Sequence, residues 1–352
     1  MRLTVPQVLL NSVTEVNGQA RAQAWERALD FMLDEVLDRW HLTVDPLPGS
    51  PWAGMESLVV PVLTTEGYRA ILRFASPNRD NPRVHEQVMR ALHAWNGHGA
   101  VRVIHEDPSF RVTLQERLRT GVDLSTEPLE NVPAIWGQLV RSLLVPGDRS
   151  FVRVQDVAAA FPGKLERDTP LLHELPEFRP GPNEDSRVLE IAAAWAHELA
   201  ISEDSWLLHA DLHYYNILAG NPDPHGIATW KAIDPQPVTG PSAYMVAPLL
   251  WNRLGEIPAT EPEAQAAWLR AFAADLCRHA DIDRGYGMGA SVMREVENLL
   301  WYVRAAAGAA RNGDEAGRAR FHGDAARSLW VARALSGVSV YGVSAHRLKP
   351  LG

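Results

Sequence analysis

The first third of the chain contains two kinds of apolar pattern. In some segments apolar residues recur every three or four positions, which predicts amphipathic helices; in others they form short β-branched runs, which predict strands. In chain order the pattern predicts a helix over 19–40, a hairpin with strands over 58–63 and 68–74, a helix over 85–95, and strands over 101–104 and 111–115. This part of the chain is therefore predicted to be a strand-rich lobe with a leading helix.

Beyond residue 121 the periodicity becomes mainly helical, with only a few short strand-like runs. We therefore predict an N-terminal lobe over residues 1–118 and a helical C-terminal lobe over 119–352. Together they predict an α+β protein with two lobes. Proline interrupts both helices and strands. Two proline-rich segments, 162–183 and 221–224, are therefore predicted to be surface loops.

Composition narrows the class of protein. The chain has 352 residues, 46% of them hydrophobic and 22% charged, which is ordinary for a globular protein. The net charge of −9 argues against a nucleic-acid partner and suits a cationic small molecule. With one cysteine, Cys277, neither a disulfide framework nor a thiolate metal cluster is expected. The chain shows no long apolar run, so we expect no membrane partner and a cytoplasmic protein.

The candidate chemistry lies in one short segment. Asp211 is followed five residues later by Asn216, and Asp234 follows a hairpin predicted from the runs 217–219 and 229–233. Kinases use these residue types in this order: an Asp takes the proton of the attacking hydroxyl, and an Asn and a further Asp hold magnesium. The hairpin would return Asp234 to the side of Asn216. The pattern predicts phosphoryl transfer, with Asp211 as the base and Asn216 and Asp234 as magnesium ligands.

An alternative use of the same segment is a zinc site of a metallohydrolase. His209, Asp211 and His213 alternate along an extended stretch, so their side chains would share one side of the chain. A second possible ligand group is the stretch 279–283, which contains one histidine and two aspartates. The ordered Asp, Asn and Asp with a hairpin between them is the more specific pattern, so phosphoryl transfer is the preferred hypothesis.

The segment around Asp211 resembles the catalytic loop of aminoglycoside phosphotransferases. More narrowly, residues 20–255 are similar to the aminoglycoside/hydroxyurea antibiotic resistance kinases, the family of streptomycin 6-kinase and hydroxyurea phosphotransferase. The matching stretches are RWHL at 39–42, GAVRV at 99–103, QERL at 115–118, WKAIDPQP at 230–237 and APLLWNR at 247–253. The resemblance implies a protein-kinase-like fold, ATP and Mg²⁺ as cofactors, and transfer to a hydroxyl of a small polar acceptor such as a streptomycin-like compound.

The resemblance also gives roles to individual residues. Arg73 occupies the position of the strand lysine that holds the α- and β-phosphates, and Glu86 matches the glutamate that pairs with this lysine. The backbone from Glu116 to Leu118 would lie against the adenine. These roles are implied by position in the family pattern.

Four positions depart from the family pattern. Arg73 replaces lysine, Ala210 replaces glycine, Met245 replaces an aspartate that braces the catalytic loop, and Gln236 replaces lysine. Methionine cannot supply the hydrogen bonds of an aspartate. The departures raise a second hypothesis, a kinase-fold binding or regulatory protein with weak or no transfer activity. An amino-sugar kinase is a further alternative.

The acceptor is expected to be cationic and to bind in the helical lobe. Glu297 and Trp301 lie four residues apart in a predicted helix, so they share one face. A carboxylate beside an aromatic ring can receive an amino or guanidino group. Glu256 and Asp123 are further candidates for the same role.

Overall fold

The computed structural model describes residues 3–78, 81, 83–222 and 229–350. The chain folds into two compact units. The first comprises Met1–Gly121 and Leu218–Ile233, and the second comprises Val122–Ile217 and Asp234–Gly352. Residues 218–233, which follow the candidate catalytic segment along the chain, therefore belong to the first unit.

The first unit begins with two helices and continues into a sheet. Its elements are α1 (Gln7–Asn17), α2 (Gln19–Arg39), β1 (Leu42–Val44), β2 (Trp52–Ala53), β3 (Ser57–Thr64), β4 (Arg69–Ala75), α3 (Val84–Trp95), β5 (Val103–Asp107) and β6 (Val112–Glu116). The strands form an antiparallel sheet in the order β1-β3-β4-β6-β5, with β2 paired to β3. The predicted helices, the hairpin and the strand over 111–115 are confirmed, whereas the strand predicted over 101–104 is displaced to 103–107. Helix α1 was not predicted, because its 11 residues carry no side-chain cap and no acidic first turn.

The core of the first unit lies between α1, α2 and the sheet. Alternate residues of β3 and β4 are fully buried there, as expected for strands with one face against helices. The buried residues include Leu9, Leu29, Leu33, Leu58, Val60, Val62, Leu72 and Phe74. Arg73 lies between Leu72 and Phe74 in β4, so its side chain is on the other face of the sheet. It pairs with Val59 of β3 and with Thr113 of β6. The strand therefore fixes Arg73 in a rigid sheet while directing it away from Leu72 and Phe74.

The second unit is mainly helical and also contains a small sheet. The remaining elements of the chain are α4 (Val132–Leu143), β7 (Val145–Pro146), β8 (Val152–Arg153), α5 (Val154–Ala159), α6 (Phe161–Leu172), α7 (Asp185–Ala200), β9 (Trp206–His209), β10 (Ile217–Ala219), β11 (Trp230–Ala232), β12 (Pro237–Gly240), α8 (Pro262–His279), α9 (Arg284–Arg311) and α10 (Glu315–Ser336). Of these, the β10–β11 hairpin belongs to the first unit from Leu218 onward. Strands β7, β9, β12 and β8 form the sheet, and β10 pairs with β11 as predicted.

One loop prediction is wrong. Helix α6 occupies much of the segment 162–183 that was predicted to be a loop. Pro162 lies in the first turn, where the missing N–H would have had no helical partner, and Pro170 lies in the last turn. The other segment, 221–224, extends into residues 223–228, which lie outside the described residues.

Helix α9 is central to the second unit and packs against α6, α7, α8 and α10. Its contact with α7 depends on a glycine, because a Cβ atom at Gly289 would lie 1.9 Å from the ring of Trp195. None of the helices within the described ranges is long and apolar enough to span a lipid bilayer.

Helix α9 also carries a fully buried carboxyl group, Glu295. Neither of its oxygens accepts a hydrogen bond of normal geometry within the described residues, although Ser328 and Arg327 lie close. Burial raises the pKa of Glu295 to about 8, against an ordinary value of 4.5. The folded protein therefore keeps this group neutral at a pH where the unfolded chain ionises it.

We expect Glu295 to make stability fall as the pH rises. The pKa of Glu295 is higher in the folded protein than in the unfolded chain. Its contribution to the free energy of unfolding is therefore fully present below pH 4.5 and is lost as the pH rises to about 8. Between these limits the free energy of unfolding should decrease by about 1 kcal/mol per pH unit through this group. Urea denaturation of Glu295→Gln at several pH values should show a flatter profile. The exposed Glu166→Gln variant should retain the wild-type slope, and an equally steep profile for both variants would contradict the assignment.

Candidate active site

The candidate catalytic loop begins where the small sheet of the second unit ends. His209 of β9 pairs with Pro237 of β12, and the next residue, Ala210, still donates its N–H to the carbonyl of Gln236 at 3.1 Å. Asp211 is the first residue beyond this pairing. The strand pair therefore fixes the main chain up to the residue before Asp211.

The loop then closes on itself. The carbonyl of Asp211 accepts hydrogen bonds from the N–H of His213 and from Nδ2 of Asn216, both at 2.9 Å. Residues Tyr214–Asn216 form a 3₁₀ turn that is capped by the ring of His213, whose Nδ1 accepts from the N–H of Tyr215 at 3.2 Å. This turn places Asp211 and Asn216 side by side, as the sequence spacing predicted.

The carboxylate of Asp211 is partly exposed and receives amide donors. Oδ2 lies 3.3 Å from Nδ2 of Asn216 and 3.4 Å from Nε2 of Gln236. The Nε2 atom of His213 is 3.7 Å from the same oxygen. A carboxylate held in one orientation, with part of its surface open to solvent, can accept a proton from a hydroxyl of a bound acceptor.

His213 connects the carboxylates of the site. Burial lowers its pKa, and the charges of Asp211, Asp234 and Asp123 act in the opposite direction. All three aspartates therefore lie within electrostatic range of one imidazole. The sequence had suggested His213 only as a zinc ligand, and its place among the carboxylates depends on contacts that the spacing does not reveal.

Asn216 and Asp234 have the chemistry of a magnesium site. With its Nδ2 donating to Asp211, the amide oxygen of Asn216 faces away from that residue. Asp234 adopts a left-handed backbone with φ of 49°, which is uncommon outside glycine and concentrates at functional sites. Amide and carboxylate oxygens are the ligands that Mg²⁺ prefers. The oxygen donors of these two residues therefore suit a hard divalent cation.

The zinc alternative is not supported by the geometry. Within the described ranges no group of three or more His, Cys, Asp or Glu side chains is arranged to hold a metal ion. This includes His209, Asp211 and His213 and the residues of the stretch 279–283.

The alanine at position 210, where the family has glycine, does not strain the backbone. Ala210 is not among the described residues with positive φ, the conformation that would favour glycine.

Arg73, the predicted phosphate-binding residue, lies in the first unit beside a buried histidine. It lines a small cavity of ≈ 30 Å³ together with His85, the second residue of α3. Burial lowers the pKa of His85 to about 4, and the charges of Arg73 and Arg111 add to this effect. Neither ring nitrogen of His85 has a hydrogen-bond partner within the described residues. A neutral imidazole therefore accompanies Arg73.

The ion pair predicted between Arg73 and Glu86 is not formed within the described residues. Glu86 points outward and pairs at 3.3 Å with Arg90 on its own helix, and the two side chains are 64% and 49% exposed. The sequence match to the family placed Glu86 correctly along α3. It could not show that the neighbouring His85 faces Arg73 instead.

The predicted adenine-contacting segment is held by the β10–β11 hairpin of the same unit. Glu116 forms an ion pair with Lys231 of β11 and accepts the N–H of Arg102 at 2.7 Å. Asn221 donates to the carbonyl of Arg117 at 2.7 Å. No hydrogen bond within the described residues engages the main chain of Leu118. This arrangement is compatible with the predicted contact of Leu118 with adenine.

The predicted acceptor-binding carboxylates have cationic partners within the protein. Glu297 pairs with Lys164, and Glu256 lies 2.6 Å from Arg253. The Arg253 guanidinium also covers the ring of Tyr214 in the catalytic loop, at 5.1 Å. Glu256 is thus connected to the loop through Arg253, a residue that the sequence had not singled out.

Two further candidates differ in their surroundings. Trp301 is 56% exposed and packs at steep interplanar angles against the rings of Tyr302 at 5.1 Å and Phe321 at 5.9 Å. Asp123 caps a short 3₁₀ turn by accepting the N–H of Ser125 at 2.9 Å, and its charge also acts on His213. Asp123 is therefore the acceptor candidate whose charge acts on the same histidine as those of Asp211 and Asp234.

A strand-rich unit with a phosphate-binding candidate on its sheet, and a helical unit with the Asp, Asn and Asp constellation, define the protein-kinase-like class of phosphotransferases. The model of the aminoglycoside/hydroxyurea antibiotic resistance kinases matches residues 39–305, and the chain belongs to this family. The protein is thus a phosphotransferase whose acceptor group is a hydroxyl, as the resemblance implied.

Relatives and solved structures agree with this placement. Streptomycin 6-kinase of Streptomyces glaucescens is 32% identical over 302 residues, covering 85% of this chain and 91% of that protein. Hydroxyurea phosphotransferase of Kitasatospora aureofaciens is 31% identical over 294 residues, covering 81% and 76%. A solved amicoumacin kinase in complex with AMP-PNP, Ca²⁺ and Ami shares the fold, with a TM-score of 0.54, 14% identity and coverage of 93% and 99%.

Proposed function

We propose that the protein transfers the γ-phosphoryl group of Mg²⁺-ATP to a hydroxyl of a streptomycin-like aminoglycoside, and that this modification serves antibiotic resistance or self-protection. The observation that carries the proposal is the closed loop around Asp211. Its carboxylate is oriented by Asn216 and Gln236 and shares His213 with Asp234. Phosphoryl transfer requires mainly positioning and charge neutralisation. The loop would position the acceptor hydroxyl through Asp211 and hold the neutralising metal ion through Asn216 and Asp234.

Each residue has a defined part in the proposed reaction. Asp211 accepts the proton of the attacking hydroxyl, while Asn216 and Asp234 would hold Mg²⁺ through their oxygens. Arg73 would bind phosphate oxygens, and the main chain from Glu116 to Leu118 would contact the adenine. When bound, ATP supplies the phosphoryl group, and the metal ion offsets the negative charge on the phosphate oxygens.

A cationic acceptor agrees with the charge of the site. The charges of Asp123, Asp211 and Asp234 all act on His213, and the whole chain carries a net charge of −9. Clefts lined by one sign of charge raise the local concentration of ligands of opposite sign. Streptomycin, the substrate named for two relatives, is the aminoglycoside that we place first.

The second hypothesis, a kinase-fold binding protein with weak transfer activity, keeps one supporting observation. Glu86, the residue that the family pattern pairs with Arg73, forms its ion pair with Arg90 on its own helix instead. A binding protein would hold ATP without consuming it when an acceptor is added.

The experiment that separates the hypotheses is an acceptor screen. Purified protein is incubated with ATP and Mg²⁺, and ADP formation is measured with streptomycin, other aminoglycosides, hydroxyurea and amino sugars. We expect an aminoglycoside to raise ADP formation well above the rate without acceptor, and omission of divalent metal to abolish the increase. ATP binding without acceptor-stimulated turnover would support the binding-protein hypothesis. Stimulation by an amino sugar alone would support an amino-sugar kinase.

Replacing Arg73 by lysine should impair the use of ATP. Arginine binds phosphate through a planar fork, whereas a lysine at this position would find no carboxylate from Glu86 to orient it. We expect Arg73→Lys to raise the KM for ATP about tenfold with little change in thermal stability. The matched control is Arg69→Lys, an exposed arginine on the same strand. An unchanged or lower KM for Arg73→Lys would show that a lysine serves equally well here.

A further inference from the structure

Arg294 of α9 makes two hydrogen bonds that meet at the catalytic loop. Its Nη2 donates to the carbonyl of Ala210 at 2.9 Å, and its Nη1 donates to the carbonyl of Tyr244 at 2.8 Å. Ala210 directly precedes Asp211, and Tyr244 lies in the 3₁₀ turn Ser242–Met245. The guanidinium therefore joins the loop to a second segment through a main-chain carbonyl of each.

The carbonyl of Ala210 belongs to the same peptide group as the N–H of Asp211. Ala210 is 5% exposed, and strand pairing engages its N–H. Without Arg294 its carbonyl would be a buried acceptor with an unmet hydrogen bond, and the peptide would be free to rotate toward another partner. A rotation of this peptide changes the φ of Asp211 and therefore the direction of its carboxylate.

The guanidinium itself is held in place. Its central carbon lies 4.3 Å from the ring centre of Tyr244 and 5.6 Å from that of Trp251. Stacking on aromatic rings reduces the freedom of the arginine and strengthens its charge-assisted hydrogen bonds. Met245 beside Tyr244 is fully buried and apolar, so its side chain cannot brace the loop by hydrogen bonding.

We propose that Arg294 is a positioning residue that fixes the peptide between Ala210 and Asp211 and thereby aims the Asp211 carboxylate at the acceptor hydroxyl. The proposal rests on the proposed function of Asp211 as the base. Arg294 acts on Asp211 through the main chain of the loop and not by contact with the reacting groups. Its loss should therefore affect the transfer step more than the binding of ATP.

The test compares three variants. Arg294→Met removes the hydrogen-bond donors, whereas Arg294→Lys keeps a positive charge and donors. Arg270→Met is the matched control, because Arg270 of α8 likewise donates to a main-chain carbonyl, that of Ala334, at 2.6 Å. We expect Arg294→Met to lower kcat about 100-fold with an unchanged KM for ATP, since small misplacements of reacting groups cost about this much. Arg294→Lys should recover most of the loss, and Arg270→Met should retain wild-type kcat.

A second readout does not depend on activity. Hydrogen–deuterium exchange of the peptide spanning residues 207–216 should be about tenfold faster in Arg294→Met than in wild type, and unchanged in Arg270→Met. Wild-type exchange in this peptide would overturn the proposal, and so would faster exchange with an unchanged kcat. If the wild-type protein phosphorylates no acceptor, the proposed function fails while the exchange measurement still decides whether Arg294 braces the loop.

Discussion

Replacing Asp211 by asparagine is expected to lower kcat for phosphoryl transfer about a thousandfold or more, because asparagine cannot accept the proton of the acceptor hydroxyl. The loop geometry should survive the change. The carbonyl of Asp211, which closes the turn onto His213 and Asn216, is a main-chain atom and is retained. The affinity for ATP should therefore remain close to that of wild type, as measured by titration calorimetry.

The matched control for this variant is Asp204→Asn. Asp204 is an exposed aspartate just before β9. Its replacement by asparagine removes the same negative charge near the same strand but outside the loop. We expect Asp204→Asn to keep wild-type kcat. A folded Asp211→Asn protein that has lost ATP binding, or that keeps its turnover, would contradict the assignment of Asp211 as the base.

Replacing Asp185 by alanine should cause the largest loss of stability, about 3–5 kcal/mol in the free energy of unfolding. Asp185 of α7 and Arg333 of α10 are 0% and 2% exposed and form two hydrogen bonds of 2.7 Å. The same carboxylate accepts the N–H of Arg179 at 2.6 Å. Alanine would leave the Arg333 charge buried without its partner, which is the costly state.

An exposed pair on the same helix supplies the control. Arg187 and Glu190 are 3.1 Å apart, with side chains 56% and 62% exposed. Glu190→Ala should change stability by less than about 1 kcal/mol. Urea denaturation measures both variants. A loss below about 1 kcal/mol for Asp185→Ala would mean that the buried pair contributes no more than an exposed one, contrary to the geometry.

The sequence predicted the sheet of the first unit well because its strands follow a local pattern. The apolar, β-branched runs of β3 and β4 and the short connection between them are properties of neighbouring residues. The spacing of Asp211 and Asn216 was equally local, since both lie in one short turn. Helix α6 was missed because Pro162 and Pro170 suggest loops, although proline is tolerated in a first turn.

The remaining features depend on contacts that local pattern does not contain. Successive residues of a helix face directions about 100° apart, so a match at Glu86 could not exclude His85 as the residue that faces Arg73. Arg294 lies 84 residues from Ala210 along the chain, and nothing in its local sequence points to that carbonyl. Under our proposal, these contacts of Arg294 brace the loop, which the apolar side chain of Met245 cannot do.

The most direct test of the proposed phosphotransfer is the identity of the reaction product. Wild-type protein and Asp211→Asn are incubated with Mg²⁺-ATP and streptomycin, and the acceptor is analysed by mass spectrometry alongside the ADP formed. We predict that the wild type adds one phosphoryl group to the acceptor for each ADP released, and that Asp211→Asn yields almost none. ADP without a phosphorylated acceptor, for streptomycin and for every other compound of the screen, would contradict the proposed phosphotransfer.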